Sequence, residues 1–165
     1  MTSDKQTSAG LFLVRHGEDL DNSRCLINGR RNSPLTRLGR TQALAVAEQI
    51  CEEAISCVYT SPLQRARQTA SIISKRSDIT ELHVESELIE RDYGVLTGRL
   101  PADIPTYATE IRILDDFRYV VASPGIEEYP SLFARAKGAL QRIQSRHVGE
   151  KILIVAHNEV IKMIR

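Results

Sequence analysis

The chain is short of several features that would point to particular classes of protein. It has only three cysteines, Cys25, Cys51 and Cys57, and no C-x-x-C pair. That excludes a disulfide framework and a cysteine zinc cluster, and no metal site is expected. It has almost no net charge, with 22 Lys and Arg against 21 Asp and Glu for a balance of +1. No basic arm or acidic tail is present, so nucleic-acid binding driven by bulk charge is not expected. No stretch approaches the roughly 18 consecutive apolar residues of a membrane span, and no membrane partner is expected. The first apolar run, Leu11–Val14, is too short for a signal-peptide core, which makes the cytoplasm the expected compartment. No G-x-G-x-x-G occurs, and the glycines at 94 and 98 are not followed by Lys-Ser/Thr. Neither a dinucleotide fingerprint nor a P-loop is present, and no cofactor is implied.

What remains is an ordinary globular composition, 42% hydrophobic and 26% charged over 165 residues, which suits one compact domain. Residues 1–9 read as a flexible tail ahead of a domain over 10–165. Short apolar runs at Leu11–Val14, Ser56–Thr60, Leu82–Val84 and Ile152–Val155 are predicted strands. Between them lie helical patterns. One runs over 36–54 with Thr36 as N-cap; another follows Pro62 to about Arg76; a third carries Leu132, Phe133, Ala136, Leu140 and Ile143 on one face. Ile152–Val155 is wholly apolar, as a strand buried on both faces should be. Strands alternating with helices predict a three-layer α/β/α sandwich with a mostly parallel central sheet. Residues 99–130 are the least patterned part. They are expected to form a small helical lid, with a helix over Ala108–Tyr119.

Open α/β sheets bind ligands beyond the carboxyl ends of their strands. Here each such end carries polar groups: Arg15-His16-Gly17-Glu18, Ser61-Pro62-Leu63-Gln64-Arg65, Glu90-Arg91-Asp92-Tyr93-Gly94 and His157-Asn158. Two arginines, two histidines and a glutamate suit phosphoryl transfer. Arginine forks match phosphate oxygens. A neutral imidazole is a competent nucleophile, and a carboxylic acid can protonate a leaving oxygen. His83 and His147 lie in no such motif and read as structural.

Several short motifs recur in one order: R-H-G-E at 15–18, P-L-T-x-x-G at 34–39, S-P-L-x-R-A-x-Q-T-A at 61–70, E-R-x-Y-G at 90–94 and A-H at 156–157. Together the chain resembles the histidine phosphatase superfamily, in its phosphoglycerate-mutase-like branch. The resemblance implies that His16 is the nucleophile, that Arg15, Arg65 and His157 complete a phosphate pocket, and that Glu90 is the proton donor. It implies substrate contacts from Asn22, Asn28, Gly29, Arg91 and Tyr93, and Asn158, beside the second histidine, is expected to add a further contact. Asn158 departs from the family pattern, which has glycine there. Leu26 and Pro101 also replace an Arg and a Lys of the mutases, which favours a hydrolase.

The expected activity is therefore metal-independent hydrolysis of a small phosphorylated metabolite through a phosphohistidine. A mutase-type phosphotransferase and a non-catalytic phospho-ligand binding domain are the alternatives, and the reading allows a homo-oligomer. Only eight residues follow His157, and Val160, Ile161, Met163 and Ile164 begin an apolar helix. The C-terminal helix is expected to be truncated.

Overall fold

A computed structural model describes residues 10–114 and 117–165, the side chains of 117 and 118 aside. The expected tail over 1–9 lies outside the described residues. Four parallel strands form the central sheet: β1 (Gly10–Arg15), β2 (Cys57–Thr60), β3 (Leu82–Val84) and β6 (Lys151–Ala156), in the order β1-β6-β2-β3. The β6 side chains alternate between two cores. Ile152, Ile154 and Ala156 pack with Leu132, Ala136, Ala139 and Ile143 of α5 (Tyr129–Arg146) and Val160 of α6 (Asn158–Ile164). Leu153 and Val155 face Ala47 and Ile50 of α2 (Arg37–Ile50) and Ala66, Ala70 and Ile73 of α3 (Gln64–Arg76). A strand buried on both faces has no polar alternate positions, which is why its sequence is uninterrupted hydrocarbon. Helices on both faces of a parallel sheet make the three-layer sandwich.

Local chemistry sets the element ends. The Thr36 hydroxyl accepts from Gly39 N at 3.0 Å and starts α2. The helix stops at Ile50, four residues short of the predicted end, and the chain turns through Ala54 at φ 49°. Between β1 and α2 sits one short helix, α1 (Leu20–Ser23), capped by the Asp19 carboxylate, which accepts from Asn22 N at 2.8 Å.

One expectation is overturned. The described residues of 108–119 do not form a helix. Beyond a single helical turn, α4 (Ile104–Tyr107), the segment makes an antiparallel ribbon of β4 (Glu110–Leu114) and β5 (Phe117–Ala122). Ile111, Ile113, Val120 and Val121 are β-branched and favour extended backbone. Ile113 and Leu114 are largely exposed, so the segment buries no helical stripe to hold it otherwise.

Strand register brings the site together. Arg15 pairs with Ala156 and Thr60 with Val155, so the residues leaving β1, β2 and β6 emerge level at one edge. His16 N donates to Ala156 O and Ser61 N to Val155 O, each at 3.1 Å, extending the ladder by one step. The loop after His16 then crosses the start of α2. A Cβ on Gly17 would collide with the Gly39 backbone, and one on Gly39 with that of Glu18. Only glycine at both positions lets the two segments touch.

Candidate active site

His16 and His157 meet at the sheet edge with ring centroids 5.0 Å apart and planes tilted by 59°. The His16 ring is oriented by its own backbone neighbourhood: Nδ1 donates to Gly17 O at 2.7 Å. Nε2 is therefore the lone-pair nitrogen, and it accepts from Arg65 Nε at 3.1 Å. Burial pulls the His16 pKa down to about 3, reinforced by the Arg65 and Arg15 charges and opposed by the Gly17 bond. The imidazole is neutral over the working pH range, and its basic nitrogen points at a cation.

His157 is fully buried, and its Nε2 lies 2.7 Å from Ser61 Oγ. Ser61 Oγ already accepts from Leu63 N at 3.3 Å. The Ser61 hydroxyl proton is satisfied only by donation to His157 Nε2, since that nitrogen is its one possible acceptor among the described bonds. That leaves the proton of a neutral His157 on Nδ1, which has no partner. Burial holds the His157 pKa well below the ordinary histidine value, helped by Arg65, His16 and Arg15. A buried unpaired N–H costs about 1–3 kcal/mol. An acceptor atom of a ligand would remove that cost.

Arg65 is 1% exposed and fixed by five acceptors. Besides His16, its Nε meets Asp19 Oδ2 at 3.2 Å, Nη1 donates to Arg31 O at 2.6 Å and Asn28 Oδ1 at 3.2 Å, and Nη2 donates to Gly29 O at 2.8 Å. The carbonyls of the 28–31 loop thus wrap the guanidinium. Gly29 holds φ +52°, which turns the loop. Asn28 also donates through Nδ2 to Asp19 Oδ2. Arg15 differs: it is exposed at the mouth of the pocket, and no hydrogen bond or ion pair of its side chain occurs among the described residues.

Glu90 is buried, with Oε1 accepting from Arg91 N at 2.8 Å. Its pKa is raised above the usual carboxylate range, by burial first and by Glu159 nearby, against the pull of the Arg91 amide and Arg65. The segment that carries it is clamped from α5. Arg135 donates to Glu87 O at 2.5 Å and Ile89 O at 2.6 Å while paired with Glu127 Oε1 at 2.7 Å.

A cavity of about 260 Å³ joins these groups. Arg15, His16, Arg65 and Glu90 line it, as do Asn22, Asn28, Gly29, Tyr93 and Asn158 of the expected contacts. Two expected residues do not line it: His157, wholly buried with its ring beside that of His16, and Arg91. Arg91 is fully buried away from the cavity, donating to Glu127 O and Val120 O at 2.8 Å each and stacked on Tyr129 at 3.8 Å. It pins the ribbon and the 127 segment to the domain rather than reaching a ligand. Asp19, Ser61, Tyr129, Glu159 and Lys162 were not singled out by sequence. Each touches the site through a partner far along the chain, except that Asp19 and Glu159 stand within three residues of the two histidines. A larger groove of about 770 Å³ lies elsewhere, against α3, and contains none of these groups.

Phosphoglycerate mutase-like protein 4 of Arabidopsis thaliana is 36% identical over 159 residues, covering 94% of this chain and 69% of that protein. The metal-independent phosphoserine phosphatase of the same organism is 32% identical over 160 residues, covering 93% and 66%. The solved structure of Bacillus stearothermophilus YhfR superposes with a TM-score of 0.79 at 29% identity, over 93% of this chain and 76% of that one. The sequence profile of the histidine phosphatase superfamily (branch 1) matches residues 11–165. The chain belongs to that superfamily.

Proposed function

We propose that the protein is a phosphomonoesterase that hydrolyses a small phosphorylated metabolite through a phosphohistidine on His16. The observation that carries this reading is the His16 tautomer: with Nδ1–H held by Gly17 O, the Nε2 lone pair faces the cavity floor beside Arg65. Arg15, Arg65 and the free Nδ1–H of His157 offer donors to the phosphoryl oxygens. As substrate enters, Arg65 Nε moves its hydrogen bond from His16 Nε2 to a phosphoryl oxygen and frees the lone pair. Nε2 then attacks phosphorus; the N–P bond forms as the P–O bond to the leaving group breaks. Glu90, whose burial favours the protonated form, gives its proton to the departing alkoxide. Water attacks the phosphohistidine next, Glu90 takes a proton from it, and His16 leaves with its lone pair restored.

The relatives bear both phosphatase and mutase-like names, and phosphate release without isomerisation is the outcome expected here. The test is His16→Ala assayed with a generic aryl phosphate in the presence of EDTA. Loss of at least about 10³ in kcat is expected. Unchanged turnover in that variant, or activity of the parent protein abolished by EDTA, would sink the reading.

A further inference from the structure

Beyond the phosphate end, the cavity wall carries charge that the proposed chemistry does not use. Glu159 stands in the first turn of α6, nearly buried, lining the same cavity as Glu90 and Tyr93. Its Oε1 accepts from Lys162 Nζ at 2.7 Å and from Asn158 Nδ2 at 3.0 Å, and its Oε2 accepts from the Tyr129 hydroxyl at 3.2 Å. All three neighbours are donors, and the contact with Lys162 is an ion pair. A carboxylate in a pocket built for a phosphate dianion is unfavourable unless a cation stands beside it. The structure already seats a cation there. The Lys162 ammonium rests between Glu159 and the Tyr119 ring, 5.2 Å from its centroid. A carboxylate beside an aromatic face is a favourable setting for an ammonium group. The Lys162 side chain is 40% exposed on a flexible stem, so it can yield that seat.

We infer that Glu159 and Lys162 recognise a phosphomonoester that carries both an ammonium and a carboxylate, that is, an O-phosphorylated amino acid. The substrate ammonium takes the place of Lys162 against Glu159, and the released Lys162 ammonium pairs with the substrate carboxylate. One internal ion pair becomes two pairs with the ligand, and no charge in the pocket is left uncompensated. The inference rests on the phosphomonoesterase reading, since it seats the phosphate against His16.

The experiment is calorimetric binding to the His16→Ala protein in phosphate-free buffer. The probes are O-phosphoserine, the terminal phosphate ester of glyceric acid (a hydroxyl in place of the ammonium) and phosphoethanolamine (no carboxylate). O-phosphoserine is expected to bind about ten- to hundredfold more tightly than either. Adding Glu159→Gln should erase its advantage over the glycerate ester, and adding Lys162→Met its advantage over phosphoethanolamine. Equal binding of all three probes overturns the inference, as does an advantage that survives both substitutions. Phosphate release by the His16→Ala protein is read separately. Turnover there counts against the phosphohistidine, while the binding ratios still decide the roles of Glu159 and Lys162.

Discussion

At the scale of single residues, the site depends on which nitrogen of each histidine carries the proton. The two rings are set in opposite senses: His16 donates from Nδ1–H to Gly17 O and keeps Nε2 bare, whereas His157 accepts a hydrogen bond at Nε2 from the Ser61 hydroxyl and carries its proton on Nδ1. Ser61 thus acts through His157 and not on the ligand. Ser61→Ala removes that preference, so part of the population presents a lone pair to a phosphoryl oxygen where an N–H is needed. We expect kcat to fall by about ten- to hundredfold with little change in KM. Nitrogen NMR shifts of the His157 ring should move toward a mixture of tautomers. A kinetic loss without that spectral change would mean that Ser61 serves packing alone. The motifs around His16, Arg65 and His157 were legible because each directly follows a short strand of the sheet, whereas Glu90 comes after β3 and an intervening helical turn over Ser86–Leu88. Ser61 is part of one of them, yet its purpose was hidden, because its partner lies 96 positions away. Arg91 departs from its expected place for the mirror reason. Its neighbours in sequence belong to the site, but its side chain turns the other way, into the ribbon.

At the scale of elements, the central sheet was readable and the insertion was not. β6 and β1 lie against two helical layers, so their sequences record burial directly as apolar runs. In the ribbon, β4 lies largely at the surface, where periodicity has no buried face to record, and of the described β5 side chains only Val120 is fully buried. A buried polar group from elsewhere helps tie the ribbon down, the Arg91 guanidinium, which donates to Val120 O and to Glu127 O just beyond the ribbon. Replacing Arg91 by Met keeps the stem and strips the donors, leaving buried carbonyls unpaired. The expected cost is about 2–4 kcal/mol in urea unfolding. Because Arg91 also stacks on Tyr129, and Tyr129 donates to Glu159, KM should rise as the cavity wall loosens. Unaltered stability with a raised KM would instead place Arg91 in direct contact with the ligand.

At the scale of the whole molecule, the site sets how stability responds to acid. Burial lowers the pKa of His16 to about 3 and that of His157 well below its ordinary value of 6.5. Below 6.5 the unfolded chain binds protons that the folded protein refuses. Their stabilising contribution is therefore complete above 6.5 and is lost as pH falls toward the folded values, at about 1.4 kcal/mol per pH unit for each histidine. Glu90 works in the opposite sense. Its folded pKa lies above the reference 4.5, so its contribution is complete below that value and is lost as pH rises through the raised one. Two histidines against one glutamate leave net acid sensitivity near pH 5, the order of magnitude set by linkage. His16→Asn removes one of the two proton-refusing groups while retaining a polar side chain at the position. Urea unfolding of the parent and variant in buffers from about pH 6 down to about pH 4 should show the stability slope reduced by about 1.4 kcal/mol per pH unit. Identical slopes would mean that His16 already takes up its proton in the folded protein across that range. A charged His16 has no lone pair on Nε2, so the same result would count against its role as nucleophile.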